Sequence, residues 1–218
     1  MTNSEIIEKT IAFVKETLKG AEGGHDWFHI QRVFNNTLLI AKDEQVDVLV
    51  VSLAALLHDI ADAKFHNGDE TIGPKMAEDF LRSLPVADEV ISHVKKIIEN
   101  ISFKNSLTAE KRFTSKELKV VQDADRLDAM GAIGIARAFN YGGYKGRQLY
   151  NPKIAPRPDM TKEAYKNSNG PTINHFYEKL LLLKDKMNTK AGKKLAEQRH
   201  QFMLNYLERF FEEWNGQV

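Results

Sequence analysis

The stretch Leu49-Val50-Val51-Ser52-Leu53-Ala54-Ala55-Leu56-Leu57-His58-Asp59 decides how this chain is read. It is apolar nearly all round a helical wheel, the pattern of a segment enclosed by other helices, and it runs straight into an imidazole beside a carboxylate. Burying either group is costly unless something compensates it, and a shared cation compensates both at once. Working outward, two further segments supply matching donors: His25-Asp26-Trp27-Phe28-His29 upstream and Asp123-Ala124-Asp125-Arg126-Leu127-Asp128 downstream. The chain has no cysteine, so neither thiolates nor disulfides are available and a metal must be held by nitrogen and oxygen.

Around this centre the apolar periodicity is helical throughout. Thr2 and Glu5 have the spacing of a capping box, followed by Ile7, Ile11, Val14 and Leu18 before Gly20. The spacing predicts helices over about 26–42, 47–63, 73–84 and 87–100, and a long one from about 115 opened by a Thr114/Glu117 capping box. The region 141–171 breaks the rhythm with four glycines and four prolines and carries Lys145, Arg147, Lys153, Arg157, Lys162 and Lys166 against Asp159 and Glu163. A connection of that length is either disordered or a working lid, and its charge suits an anionic ligand. Helical spacing returns over 173–187 and 191–214. The expected fold is all-α, a single domain over 1–218: a core over about 20–140, then the basic loop and a C-terminal helical cap.

With 218 residues, 42% hydrophobic and 28% charged, the chain can bury a substantial core. No apolar run is long enough to span a bilayer and no signal-peptide pattern is present, so a soluble, cytoplasmic protein without a membrane partner is expected. A net charge of +1 argues against a general nucleic-acid binder.

The order His29, then His58-Asp59, then Asp125 resembles the HD superfamily of metal-dependent phosphohydrolases, from about residue 23 to 139. The resemblance implies an all-α domain with His29, His58, Asp59 and Asp125 as ligands of a divalent ion. Asp125 is preferred to Asp123 and Asp128 because Ala124-Asp125-Arg126-Leu127 resembles the string around the last metal aspartate of alarmone hydrolases. Two imidazoles and two carboxylates suit Mn2+, with Mg2+, Co2+, Ni2+ or Fe2+ as alternatives, better than closed tetrahedral zinc. Asp128, three residues on, faces roughly the same side and suits an outer or substrate contact. His25 could orient Asp26, touch phosphate or simply open a helix, and Asp26 could cap that helix.

Asp62 stands where the alarmone hydrolases carry the first of two acidic residues that activate water. The second position here is Ala63, a departure that argues against alarmone hydrolysis. Asp62 is the candidate general acid or base and Lys64 a candidate phosphate neutraliser. His93 and Lys96 share a helix face, and His93 is either a second-metal ligand or a structural histidine. Lys145, Arg147, His175, Lys179 and Arg199 are candidate phosphate contacts. The segment His175-Phe176-Tyr177-Glu178-Lys179-Leu180-Leu181 looks like the C-terminal part of a bacterial HD subgroup similar to YpgQ and YedJ. That likeness implies nucleoside triphosphate pyrophosphohydrolysis. The alternatives are a nucleotide monophosphatase or alarmone-type hydrolase, an HD-type di-iron oxygenase, and a non-catalytic nucleotide sensor.

Overall fold

The computed structural model describes residues 1–20, 26–61, 69, 71–101, 113–157 and 169–218. Among them every regular element is helical, and the chain divides into two compact units, Met1–Asp125 and Arg126–Val218. No helix among the described residues is long and apolar enough to cross a membrane.

In the first unit α1 (Asn3–Thr17) opens with the expected box, Thr2 accepting from the Glu5 amide while Glu5 accepts from that of Thr2. Its buried face is Ile6, Thr10 and Val14, one residue out of register with the Ile7 and Ile11 stripe. Four-residue steps from Ile6 and from Ile7 lie side by side on a helix, so periodicity alone separates them poorly. Then come α2 (Trp27–Ala41), α3 (Val48–Leu57), α4 (Ile72–Arg82), α5 (Asp88–Asn100) and α6 (Lys116–Asp128).

Central to this unit is α3, packed against α1, α2 and α5, with every residue from 50 to 57 buried. Each fully buried Leu or Val there contributes about 1.5–3 kcal/mol of apolar burial. Asp47 starts it by accepting from the amides of Leu49 and Val50. The helix ends at Leu57 rather than near residue 63, so His58 and Asp59 stand in the turn that follows. An apolar helix can stay fully enclosed only while it carries no charge, and the polar pair falls where the enclosure ends.

Two other boundaries differ from the sequence expectation. Ser115, not Thr114, accepts from the Leu118 amide at the start of α6. The long helix divides at residues 129–130, and α7 (Gly131–Tyr144) begins on Gly131 at φ +67°, a left-handed conformation that favours glycine.

The second unit contains α7, α8 (Thr172–His175) and α9 (Lys190–Trp214). Residues 141–144 belong to α7, so the irregular connection starts after them, and its residues 158–168 lie outside the described set. From Thr172 the chain keeps helical direction but changes pitch, with a π turn over Phe176–Leu180 and a 3-10 turn over Leu181–Lys186. Backbone amides of Thr172 and Ile173 donate to the carbonyls of Gln148 and Leu149, tying the connection to the start of α8. Phe176, fully buried, stacks on Tyr206 of α9 and lies beside Phe139 of α7.

Candidate metal centre

Three segments of the first unit bring donors together. His29 occupies the first turn of α2, whose N-cap is Asp26: the Asp26 carboxylate accepts from the His29 amide at 2.9 Å. This is the capping role left open for Asp26, and it fixes the backbone that presents His29. His58 follows the last turn of α3, where its Nδ1 contacts the Ala55 carbonyl at 2.8 Å. A carbonyl only accepts, so Nδ1 is the donor, and in the neutral tautomer this leaves Nε2 as the nitrogen that can bind a cation. Asp125 lies near the end of α6, which is held beside α2 by the Asn36 amide donating to the Ala124 carbonyl at 3.3 Å.

The donor atoms of His29, His58 and Asp125 all lie within 4.8 Å of one another. His29 Nε2 stands 3.7 Å from Asp125 Oδ1, and the two imidazole rings meet edge to face at 5.4 Å. Ligands about 2.1 Å from one ion are about 3 Å apart when adjacent and at most about 4.2 Å apart when opposite, so these side chains come together on an ion by small side-chain movements of roughly half an ångström or more. Two neutral nitrogens and one carboxylate are a donor set for a divalent ion. The His29 side chain is 4% exposed and that of Asp125 43%, so the group is rooted in the core and open on the aspartate side.

Other candidates fall elsewhere. Asp59 is half-buried in the same turn as His58 but outside the converging group, and Asp123 is fully buried. His93 Nε2 lies 3.0 Å from the Ser115 hydroxyl and 3.6 Å from Glu117, linking α5 to the start of α6. His25, Asp62 and Lys64 lie outside the described residues.

The second unit holds the remaining candidates. Asp128, 1% exposed, pairs with Arg137 of α7, which also donates to the Asp128 carbonyl at 3.2 Å. Sequence reading missed Arg137 and Asn36, because neither carries a local spacing signal toward its distant partner. Arg126 donates to the Lys186 carbonyl at 2.7 Å and Arg199 to that of Leu127. Burial lowers the Arg199 pKa, partly opposed by Asp128. His175 is brought near Lys179 and Arg147. Burial first, then those two cations, push its pKa down to about 4, so the imidazole is neutral at pH 7. Lys145 is exposed, its ammonium over the rings of Tyr144 and Tyr141.

Comparison with known proteins identifies the family. The HD domain family model matches residues 27–130. The chain is 39% identical to YpgQ of Bacillus subtilis over 202 residues, 92% of this chain and 89% of YpgQ. A crystal structure of an HD-superfamily hydrolase from Bacillus thuringiensis is similar at TM-score 0.79 and 46% identity, covering 98% of this chain and 99% of that one. The crystal structure of B. subtilis YpgQ in complex with ADP is similar at TM-score 0.74 and 37% identity, covering 98% and 96%.

Proposed function

This chain belongs to the HD domain family and is an HD-type metal-dependent phosphohydrolase, and from that premise we propose that it acts on nucleotides, as a nucleoside triphosphate pyrophosphohydrolase. The observation that carries the reading is the convergence of His29, His58 and Asp125 from three separate segments. The ADP bound to the similar YpgQ supports a nucleotide ligand.

In this reading His29, His58 and Asp125, with Asp59 from the adjoining turn, would hold a divalent ion, Mn2+ by preference for a mixed nitrogen and oxygen set. Such an ion makes water a better nucleophile toward phosphorus at neutral pH. Asp62 is the proposed general acid or base, and Lys64 and His25 are the proposed phosphate partners. Arg147, Lys179, Lys145 and Arg199 offset the charge that builds on the leaving pyrophosphate, while neutral His175 donates a hydrogen bond. The chain works as one domain in the cytoplasm, without a membrane or stable nucleic-acid partner.

The test is to reconstitute the protein with each of Mn2+, Mg2+, Co2+, Ni2+ and Fe2+, incubate it with a nucleotide panel and identify the products. Pyrophosphate together with nucleoside monophosphate is expected. Inorganic phosphate as the sole inorganic product would replace the proposed bond with a terminal or monoester one.

A further inference from the structure

The last turns of α7 expose two aromatic rings on one face. Tyr141 is 50% and Tyr144 70% exposed, and the i, i+3 spacing sets them side by side with Lys145 one residue further. Gly142 explains how the helix is turned: a Cβ there would come 2.2 Å from the Thr172 hydroxyl, so this position must stay bare for α7 to lie against α8. The opposite side, with both tyrosines, is thereby directed outward.

Cations gather over those rings. The Lys145 ammonium lies 5.1 Å from the Tyr144 centroid and 5.8 Å from that of Tyr141, and the Arg147 guanidinium 5.5 Å from Tyr141. The Arg147 amide donates to the Gly142 carbonyl at 2.8 Å, and the carbonyls of Gln148 and Leu149 accept from the amides of Thr172 and Ile173 in α8. That ladder brings Arg147 toward the segment carrying His175 and Lys179. Exposed tyrosine rings already attended by cations are complementary to one kind of small molecule in particular: a planar base joined to phosphates, whose base takes the ring face as the cations turn to the phosphates. Two rings give room for a single base, whereas a single-stranded polymer needs a longer run of platforms.

We infer that Tyr141 and Tyr144 form the stacking platform for the nucleobase, with Lys145, Arg147 and Lys179 receiving the attached phosphates. The inference rests on the nucleotide reading above and adds where the base is gripped. Because stacking uses the ring face and not the hydroxyl, selectivity among bases at this platform is modest and the preference for a nucleotide over bare polyphosphate is large.

The experiment measures the binding of α,β-methylene adenosine triphosphate and of inorganic tripolyphosphate to the metal-loaded full chain. Replacing both tyrosines, Tyr141→Ala with Tyr144→Ala, should raise the Kd of the nucleotide by about tenfold or more while the Kd of tripolyphosphate stays put. Tyr141→Phe with Tyr144→Phe should bind the nucleotide as the wild type does. An unchanged nucleotide Kd in the alanine pair, or an equal loss for both ligands, overturns the platform. So does a uridine oligonucleotide that displaces the mononucleotide at lower concentration, which would assign the surface to single-stranded nucleic acid. If the wild type binds neither probe, the nucleotide reading itself has failed; binding that ignores the tyrosines sinks only this inference.

Discussion

His58 directs its Nδ1 proton to the carbonyl of Ala55, 2.8 Å away at the end of α3. One hydrogen bond thus does two things. It satisfies a carbonyl that the ending helix would leave open, and it fixes the tautomer whose Nε2 is available to a cation. The buried helix both supplies the stability of the first unit and aims the imidazole.

His58→Ala and Asp59→Ala are therefore expected to lose bound divalent metal and hydrolysis while keeping wild-type helicity. Both residues follow the last residue of α3, so neither contributes a helical turn. Elemental analysis beside circular dichroism decides this, and wild-type metal content in both variants would remove the proposed centre.

Asp26→Ala tests the coupling between a helix cap and a ligand. Loss of the bond to the His29 amide should cost about 1 kcal/mol of stability. Fraying of the first turn of α2 should also weaken metal binding several-fold, because His29 sits in that turn. Denaturant unfolding and a metal titration read the two effects; a stability loss with unchanged metal affinity would leave Asp26 a cap and nothing more.

These examples also show what was legible in the sequence. The capping box at Thr2, the bounds of α5 and the order of the His and Asp motifs are local patterns, and local patterns survive in a sequence. The break at Gly131 was missed because one glycine scarcely disturbs helical periodicity, although its φ of +67° ends the run. The π and 3-10 turns over 176–186 were hidden likewise, since their apolar residues keep nearly helical spacing. The contact of Asn36 with Ala124 and the Asp128–Arg137 pair depend on how helices meet, which no single segment encodes.

The Asp128–Arg137 pair yields a stability prediction. With Asp128 1% exposed, Arg137→Ala removes a direct partner from a buried carboxylate, and breaking such a pair typically costs about 3–5 kcal/mol. The nearby Arg199 guanidinium offsets part of this, so a loss of about 3 kcal/mol is expected in urea unfolding. A change below about 1 kcal/mol, the usual range for an exposed pair, would mean that the carboxylate does not depend on Arg137.

Burial of His175 predicts a pH dependence of definite sign. Its folded pKa, about 4, lies below the ordinary 6.5 because the imidazole is desolvated and faces Lys179 and Arg147. Between those two values the unfolded chain binds a proton at this residue that the folded chain refuses. Stability therefore rises with pH through the window and is lost as pH falls from about 6.5 toward 4. Acidifying from about pH 7.5 to about pH 5 should remove about 2 kcal/mol on this account alone. The comparison is urea unfolding of wild type and His175→Gln at both pH values. Glutamine keeps a polar side chain but cannot titrate, so the variant should lose less stability on acidification, by about that amount. Parallel losses in the two proteins would show that this imidazole is not the group whose proton opposes folding.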